Sequence, residues 1–497
     1  MAMTRKYWKG IEELQETAAF VESRDREFPE SVSVDEFLGD ESLKENSTAR
    51  RDFLKFLGFS VAAATVAACE APVTKAIPYV IKPENVTPGM PTWYASTYYD
   101  GSTFASILVK TREGRPIYIK GNKEQGFTKG GTTPQVVASV LGLYDSARLK
   151  TAQKKDGGDI AWSKLDDAVQ GGLMKIGAAK GKIAFVSNTL ISPSMESALI
   201  ELSTAIYGPT MGEAGMPILH PNFNHIQYDP VSYNGIRQAN LATFGKNLIP
   251  DYDFSKAKTV VSIGADFLGS WLLNNQYAVD FSSRRAPEAD WMSRHFQFES
   301  IMSITGSNAD YRAMIKPSEQ ANVLAYILGK FGVNTGTSAT LDKSAQKIAD
   351  EAVKSLKASK GESLVVCGSN NTAVQILTNK LNAVLGAYGK TITFESDVLL
   401  FRSEDAKMQT LANEVIAGKG PDAVLFLGAN PAYNLPNGKA FAAKLSQVKL
   451  TVSLASYADE TAANCTYIAP NHHALEAWAD FNPKTGHYAI AQPTIRT

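Results

Sequence analysis

Apolar and polar positions alternate in two different ways along this chain. In "FASILVKTREGRPIYIKGNKE", Ile107 and Val109, then Ile117 and Ile119, alternate with other residues on either side of Glu113-Gly114. That is the pattern of two strands joined by a tight turn. From about residue 160 the runs become continuously apolar: "KIAFVSN" from Lys182 to Asn188, "KTVVSIGAD", "SLVVCGSNN", "DAVLFLGANP", and "KLTVSLASY" from Lys449. Helical patterns lie between them. "SPSMESALIELSTAIYG" predicts a helix capped by Ser192, with Pro193 at its first position and Gly208 at its stop. Val374, Leu377, Leu381, Val384 and Leu385 give a second helix its apolar stripe. Strands apolar on both faces, alternating with helices, predict parallel sheets covered on each side. The expected fold class is α/β: parallel sheets flanked by helices, preceded by a small β-rich segment and an extended N-terminal leader.

Three of these strands end in small residues followed by Asp or Asn: Gly264-Ala265-Asp266, Gly368-Ser369-Asn370 and Gly428-Ala429-Asn430-Pro431. Glycine lets the chain turn sharply, and Asp or Asn caps the next helix or tolerates a left-handed backbone. Such turns lie at the carboxyl edge of a sheet, where α/β folds place ligands. Each turn taken singly is also explained by turn chemistry alone. No GxGxxG fingerprint or P-loop appears, so simple NAD or ATP binding has no support.

The first 47 residues are polar and acidic, with Tyr7, Ile11 and Leu14 at helical spacing and Trp8 beside them. Then comes "TARRDFLKFLGFSVAAATVAACEAP". Arg50 and Arg51, followed by Phe53, Leu54 and Lys55, resemble a twin-arginine export signal. The apolar run to Ala68 is short of the roughly 20 residues that span a bilayer. Val66-Ala67-Ala68-Cys69 resembles a lipoprotein box, whose cysteine is acylated and becomes the new N-terminus. A buried amphipathic helix with a core cysteine is the other reading of the same stretch. The expected organisation is a leader over 1–69, a proline-punctuated tether over 70–96, a small β-rich domain over 97–160, an α/β domain over 161–360 and a second α/β domain over 361–497.

Composition narrows the function. Fifty basic residues balance fifty acidic ones, which argues against nucleic acid as the main partner. The cysteines are Cys69, Cys367 and Cys465. They form no readable disulfide framework and no CxxC clamp, and Cys367 and Cys465 read as buried thiols. His472 and His473 are adjacent, so their side chains diverge in any regular element, and they read as loop or surface residues.

The stretch from Val109 to Lys150 resembles the opening of molybdopterin oxidoreductases of the dimethyl-sulfoxide-reductase superfamily, through Gly114, Arg115, Gly121, Asn122, Tyr144, Asp145, Arg148 and Leu149. "GANPAYNLP" and "DETAANCTYIAPNHHALEAWADF" are similar to the last dinucleotide-type domain of that superfamily, through Gly428, Asn430, Pro431, Glu460, Thr461, Pro470 and Glu476. The resemblance runs from about residue 97 to the end. Catalytic members carry a four-cysteine cluster motif around the hairpin. Here the neighbourhood of the last ligand reads Gly131-Thr132-Thr133-Pro134, and an iron–sulfur cluster needs thiolates.

Within the superfamily the chain is similar to the large extrinsic subunits of alternative complex III. That resemblance implies a non-catalytic subunit of a membrane-bound respiratory quinol:cytochrome c oxidoreductase. The chain would sit on the periplasmic side of the bacterial inner membrane, lipid-anchored through Cys69, against membrane subunits and multihaem cytochrome subunits. It implies no catalytic, cofactor or metal residue in this chain. Iron–sulfur clusters would belong to a ferredoxin-like half beyond "IAQPTIRT", so the chain is expected to be the N-terminal part of a longer protein. Two alternatives are an active periplasmic molybdopterin oxidoreductase and a periplasmic small-ligand binding protein. For an active site the candidate cofactor residues are Ser232, Asp266 and Asn430.

Overall fold

The structure is a computed structural model that describes residues 87, 89–155, 157–336 and 339–496. Arg50, Arg51, Phe53, Leu54, Lys55 and Cys69 lie outside the described residues. The described residues belong to one unit, Lys82–Thr497. Strands β1 (Thr92–Tyr99), β2 (Phe104–Arg112) and β3 (Arg115–Gly121) form an antiparallel meander. Its second turn is the predicted one. Glu113 and Gly114 both have positive φ, 52° and 77°, the mirror-image turn whose twist suits a hairpin.

Helix α1 (Pro134–Ala138) leads to a short hairpin, β4 (Ala152–Lys154) and β5 (Asp159–Ile160). The α/β portion then runs α2 (Trp162–Ala178), β6 (Ile183–Ser187), α3 (Pro193–Tyr207), β7 (Phe223–Gln227), α4 (Asn234–Phe244), β8 (Ile249–Tyr252) and β9 (Thr259–Ile263). It continues through α5 (Asn274–Ser282), β10 (Arg294–Glu299), α6 (Ile304–Ser307), β11 (Tyr311–Met314), α7 (Gln320–Lys330), α8 (Lys343–Ala358), β12 (Ser363–Cys367) and α9 (Thr372–Leu385). The last part is β13 (Ile392–Val398), α10 (Asp405–Ile416), β14 (Ala423–Leu427), α11 (Pro431–Asn434), α12 (Gly438–Leu445), β15 (Leu450–Ser453), β16 (Tyr467–Ile468), β17 (Ala479–Lys484) and β18 (His487–Ala491).

Two sheets carry the parallel strands. One has the order β5-β4-β16-β15-β14-β6-β7, parallel from β16 to β7. The other, β11-β10-β9-β12, is parallel throughout. A third sheet, β18-β17-β13-β8, is antiparallel. Alternation along β6 divides its side chains between two cores. Ile183 and Phe185 pack with Leu165 and Leu173 of α2 and Leu199 of α3. Ala184 and Val186 pack with Met408 and Leu411 of α10 and Phe441 of α12. Burying both faces is why this strand reads as continuously apolar. Each fully buried large side chain contributes roughly 1.5–3 kcal/mol.

The structure corrects the expected domain boundaries. Residue 360 does not separate two α/β domains, because β12 joins β9 in one sheet and β14 joins β6 in the other. Apolar runs reveal that strands are buried but not which strands they pair with. The tether over 70–96 is shortened, since β1 starts at Thr92. The β-rich domain over 97–160 loses β4 and β5 to the seven-stranded sheet. The predicted helix caps are present: Ser192 accepts from Met195 N–H, Pro193 opens α3 and Gly208 follows it.

Candidate functional site

The carboxyl ends of the two parallel sheets are both in contact with one short segment, the connection from β7 to α4. Asp229, at its start, is 3% exposed. Its carboxylate accepts from the N–H and hydroxyl of Thr189, just past β6, at 2.9 and 2.6 Å. The Asp229 N–H donates to Ser403 Oγ at 3.2 Å, and Ser403 Oγ donates to Asp405 at 2.6 Å. Ser232 Oγ donates to the other oxygen of Asp405 at 2.7 Å and accepts from Asn234 N–H. Tyr233 OH donates to the carbonyl of Ser270, beyond β9, at 3.3 Å. The Gly235 N–H donates to Asn370 Oδ1, beyond β12, at 2.7 Å. One segment thus ties the ends of β6, β9 and β12 together.

Glycines set how closely these pieces approach. A Cβ on Gly235 would lie 2.3 Å from the carbonyl oxygen of Asn370, and one on Gly368 would lie 2.1 Å from that of Gly264. Gly264 and Gly428 both have φ of 67°, the left-handed turn expected after their strands. The three glycine turns do not line one edge. Gly264 and Gly368 pack together at the end of the four-stranded sheet, whereas Gly428 ends β14 in the other sheet, beside Asn188. Asn188 Oδ1 is buried and has no hydrogen-bond partner.

Charge at this junction is internally balanced. Arg237 donates to the Ser403 carbonyl at 3.2 Å, and Arg402 pairs with Glu196 at 3.2 Å. Burial lowers the pKa of Arg237, with Glu404, Asp229 and Asp405 opposing. Burial pushes the Asp229 carboxyl up to about 6, against the hydrogen bonds from Thr189.

Each candidate cofactor residue makes hydrogen bonds within the chain. Ser232 holds Asp405, as above. The Asp266 carboxylate accepts from the N–H and hydroxyl of Thr305 in α6, at 3.1 and 2.7 Å. Asn430 Oδ1 accepts from the N–H and hydroxyl of Thr461, and its amide donates to Glu460 at 2.8 Å. Asn430, Glu460 and Thr461, distant in sequence, therefore meet. So do the two other resemblance segments. Arg148 pairs with Glu476, whose carboxylate also accepts from His473 N–H at 2.8 Å. His473 Nδ1 accepts from Leu475 N–H, so its Nε2–H donates to the Ser139 carbonyl at 3.1 Å. His472 is exposed and His473 half-buried, both in a loop.

Thr133, in the neighbourhood expected for the last cluster ligand, caps α1 by accepting from Val136 N–H at 3.3 Å. Phe127, close by, is buried against Phe104, the ring centres 5.4 Å apart. Cys367 and Cys465 are buried free thiols, pushed up by burial to about 11 and about 12. Among the described residues no group of three His, Cys, Asp or Glu side chains is placed to hold a metal ion. No helix of the described residues is long and apolar enough to cross a membrane.

Surface pockets among the described residues lie elsewhere, among them two that carry charged side chains of both signs. One of about 400 Å³ opens at the amino ends of β6 and β7, between Lys182, Asn222, Lys407 and Glu414. Another of about 550 Å³ is lined by Asp145, Arg148, Lys150, Trp162, His472 and Glu476. Neither reaches Ser232, Asp266 or Asn430. Sequence reasoning missed Thr189, Asp229, Ser403 and Asp405. Asp229-Pro230, just after the mixed stretch "FNHIQY" from Phe223 to Tyr228, carries no strong local signal, and its partners lie 40 and 174 residues away.

No family model matches the chain. It is similar to the menaquinone reductase, molybdopterin-binding-like subunit of Nitratidesulfovibrio vulgaris (strain Hildenborough), with 26% identity over 420 residues. The match covers 76% of this chain and 58% of that protein, so the chain spans less than two thirds of its relative's length. Among solved structures, acetylene hydratase from Pelobacter acetylenicus matches with a TM-score of 0.58 and 13% identity, over 81% of this chain and 66% of that one. The mixed α/β architecture, with parallel sheets flanked by helices, is therefore a molybdopterin oxidoreductase-like fold.

Proposed function

We propose that this chain is a non-catalytic, structural subunit of a membrane-bound, quinone-linked respiratory oxidoreductase of the alternative complex III type. The observation that carries the reading is the segment from Asp229 to Gly235, which occupies the junction of the two sheets' carboxyl ends with side chains bonded to one another. In this fold that junction is the expected place for a pterin dinucleotide, whose phosphates need free backbone N–H donors and spare positive charge. Here the Gly235 N–H serves Asn370 and the Thr189 N–H serves Asp229. Arg237 and Arg402 face Asp229, Glu196, Glu404 and Asp405. These residues do not fit the dinucleotide. The quinone link is supported by the relative's name, menaquinone reductase subunit. Membrane and multihaem cytochrome partners, export through Arg50-Arg51 and a lipid anchor on Cys69 belong to the same proposal, on the motifs described above.

Elemental analysis of the purified protein tests it. Molybdenum and tungsten should both be far below one per chain; near-stoichiometric amounts of either would favour an active molybdopterin oxidoreductase instead. Intact-mass measurement addresses the anchor: a mature chain starting at acylated Cys69 is expected, and an uncleaved, unmodified N-terminus would remove that part.

A further inference from the structure

The β1–β3 meander has two unlike faces. Ile107, Val109 and Ile119 are buried against Val136, Val140 and Leu475. On the other face, register places Trp93, Lys110 and Tyr118 in one cross-strand row, and Ala95, Leu108 and Lys120 in the next. The two rings meet edge to face, their centres 6.4 Å apart. The ammonium groups of Lys120 and Lys110 both converge on Trp93, at 4.2 and 5.9 Å from the ring centre. Trp93 and Tyr118 are 38% and 45% exposed, and Ile117 beside them is 48% exposed.

Lys110, Lys120, Arg112 and Arg115 stand on this small sheet and its second turn beside one carboxylate, Glu113; the meander's other carboxylate, Asp100, lies in its first turn and accepts from Tyr98, Ser102 and Thr103. None of the four basic residues has an ion-pair partner among the described residues. Two ammonium groups sharing one indole repel each other, and no carboxylate among the described residues pairs with them. An external anion held at the level of an aromatic ring would relieve them. Trp and Tyr side by side, with Lys ammonium groups against the indole, is a combination suited to a bilayer interface, where aromatic rings sit at headgroup level and flexible Lys side chains reach lipid phosphates. A lipid surface of negative charge supplies both parts at once.

We propose that the outer face of the β1–β3 meander docks on an anionic lipid surface, with Trp93 and Tyr118 at headgroup depth and Lys110 and Lys120 against phosphates. The inference rests on the membrane location proposed above. It concerns a different face from the sheet junction and needs no acyl chain.

The test uses the full chain carrying Cys69→Ser, which removes acylation. Its partitioning is measured on phosphatidylcholine vesicles with and without phosphatidylglycerol, at low and high salt. Binding should require phosphatidylglycerol and weaken with salt. Adding Lys110→Glu and Lys120→Glu should cut partitioning at least about tenfold, as loss of two basic residues near a charged surface requires. Lys110→Met with Lys120→Met keeps the stems and should show a weaker loss in the same direction, which covers the case in which the glutamate variant fails to fold. Equal partitioning of the methionine variant and the Cys69→Ser parent would overturn the proposal. So would unchanged vesicle binding with loss of an acidic partner subunit, which would make the face a protein dock. Molybdenum found in a chain that still partitions this way would sink the non-catalytic reading and leave this one standing.

Discussion

The two parallel sheets close their carboxyl edges by different means. At the four-stranded sheet, backbone lies on backbone: Gly368 against Gly264, and Gly235 against Asn370, at distances no side chain would permit. At the seven-stranded sheet, side chains close the edge: Thr189, Asp229, Ser403 and Asp405 form a hydrogen-bonded chain around a buried carboxyl. The first closure is steric and insensitive to pH. The second is polar and titratable. A fold whose strand ends ordinarily turn toward a ligand can thus be sealed either by removing side chains or by satisfying them.

The sharpest way to break the comparison is Gly368→Val. Its Cβ would press on the Gly264 carbonyl, and neither backbone can yield without moving a strand. A loss of about 3 kcal/mol is expected, read as a lowered urea midpoint. An unchanged midpoint would mean that this edge is open.

Asp229→Asn probes the other closure through pH. The folded chain keeps the Asp229 proton up to about pH 6, whereas the ordinary value is 3.8. The folded state therefore binds more protons in between, and this group's contribution to stability is present below pH 3.8 and lost as pH rises through 6. The loss is about 3 kcal/mol at most. Asp229→Asn should remove that slope, so the variant gains on the parent between pH 4 and 6. Denaturant unfolding of both chains across that range checks it, and parallel profiles would show that Asp229 does not titrate there.

The smallest effect is expected at Asp266→Ala. Two hydrogen bonds to Thr305 disappear, costing about 1 kcal/mol, and on the function proposed above electron transfer should be nearly unchanged. Abolished turnover in a folded, assembled variant would make this edge an active site.

The contrast also explains what the sequence revealed. Strands β6, β9, β12 and β14 were legible because both their faces are buried in apolar cores; β15 buries Leu450 and Val452 on one face and Thr451 and Ser453 on the other. Strand β10 was not. Phe296 and Phe298 alternate with His295, Gln297 and Glu299, which look like solvent-facing residues but are buried. Most of their polar atoms are paired within the fold: Gln297 donates to Glu299 at 3.0 Å, and Glu299 pairs with Arg312 at 2.6 Å, while His295 Nδ1 is left without a partner. The glycine turns were legible as turns, since Gly264 and Gly428 need left-handed backbone. Gly368 and Gly235 serve close approach to partners elsewhere in the fold, and nothing local marks that. The Asp229 network was invisible for the same reason, being assembled from three separate parts of the chain.

The pairing of β6 carries a consequence for how the protein is made. One edge of β6 meets β7 soon after synthesis, but its other edge waits for β14, some 240 residues later. At about 5–20 residues per second, a ribosome needs on the order of tens of seconds to supply the missing strand. Throughout that interval the nascent chain presents an apolar strand with an unpaired ladder of N–H and C=O groups, the kind of edge that recruits other chains. Keeping that edge from other chains until Leu427 has emerged is a demand that the topology itself sets on synthesis.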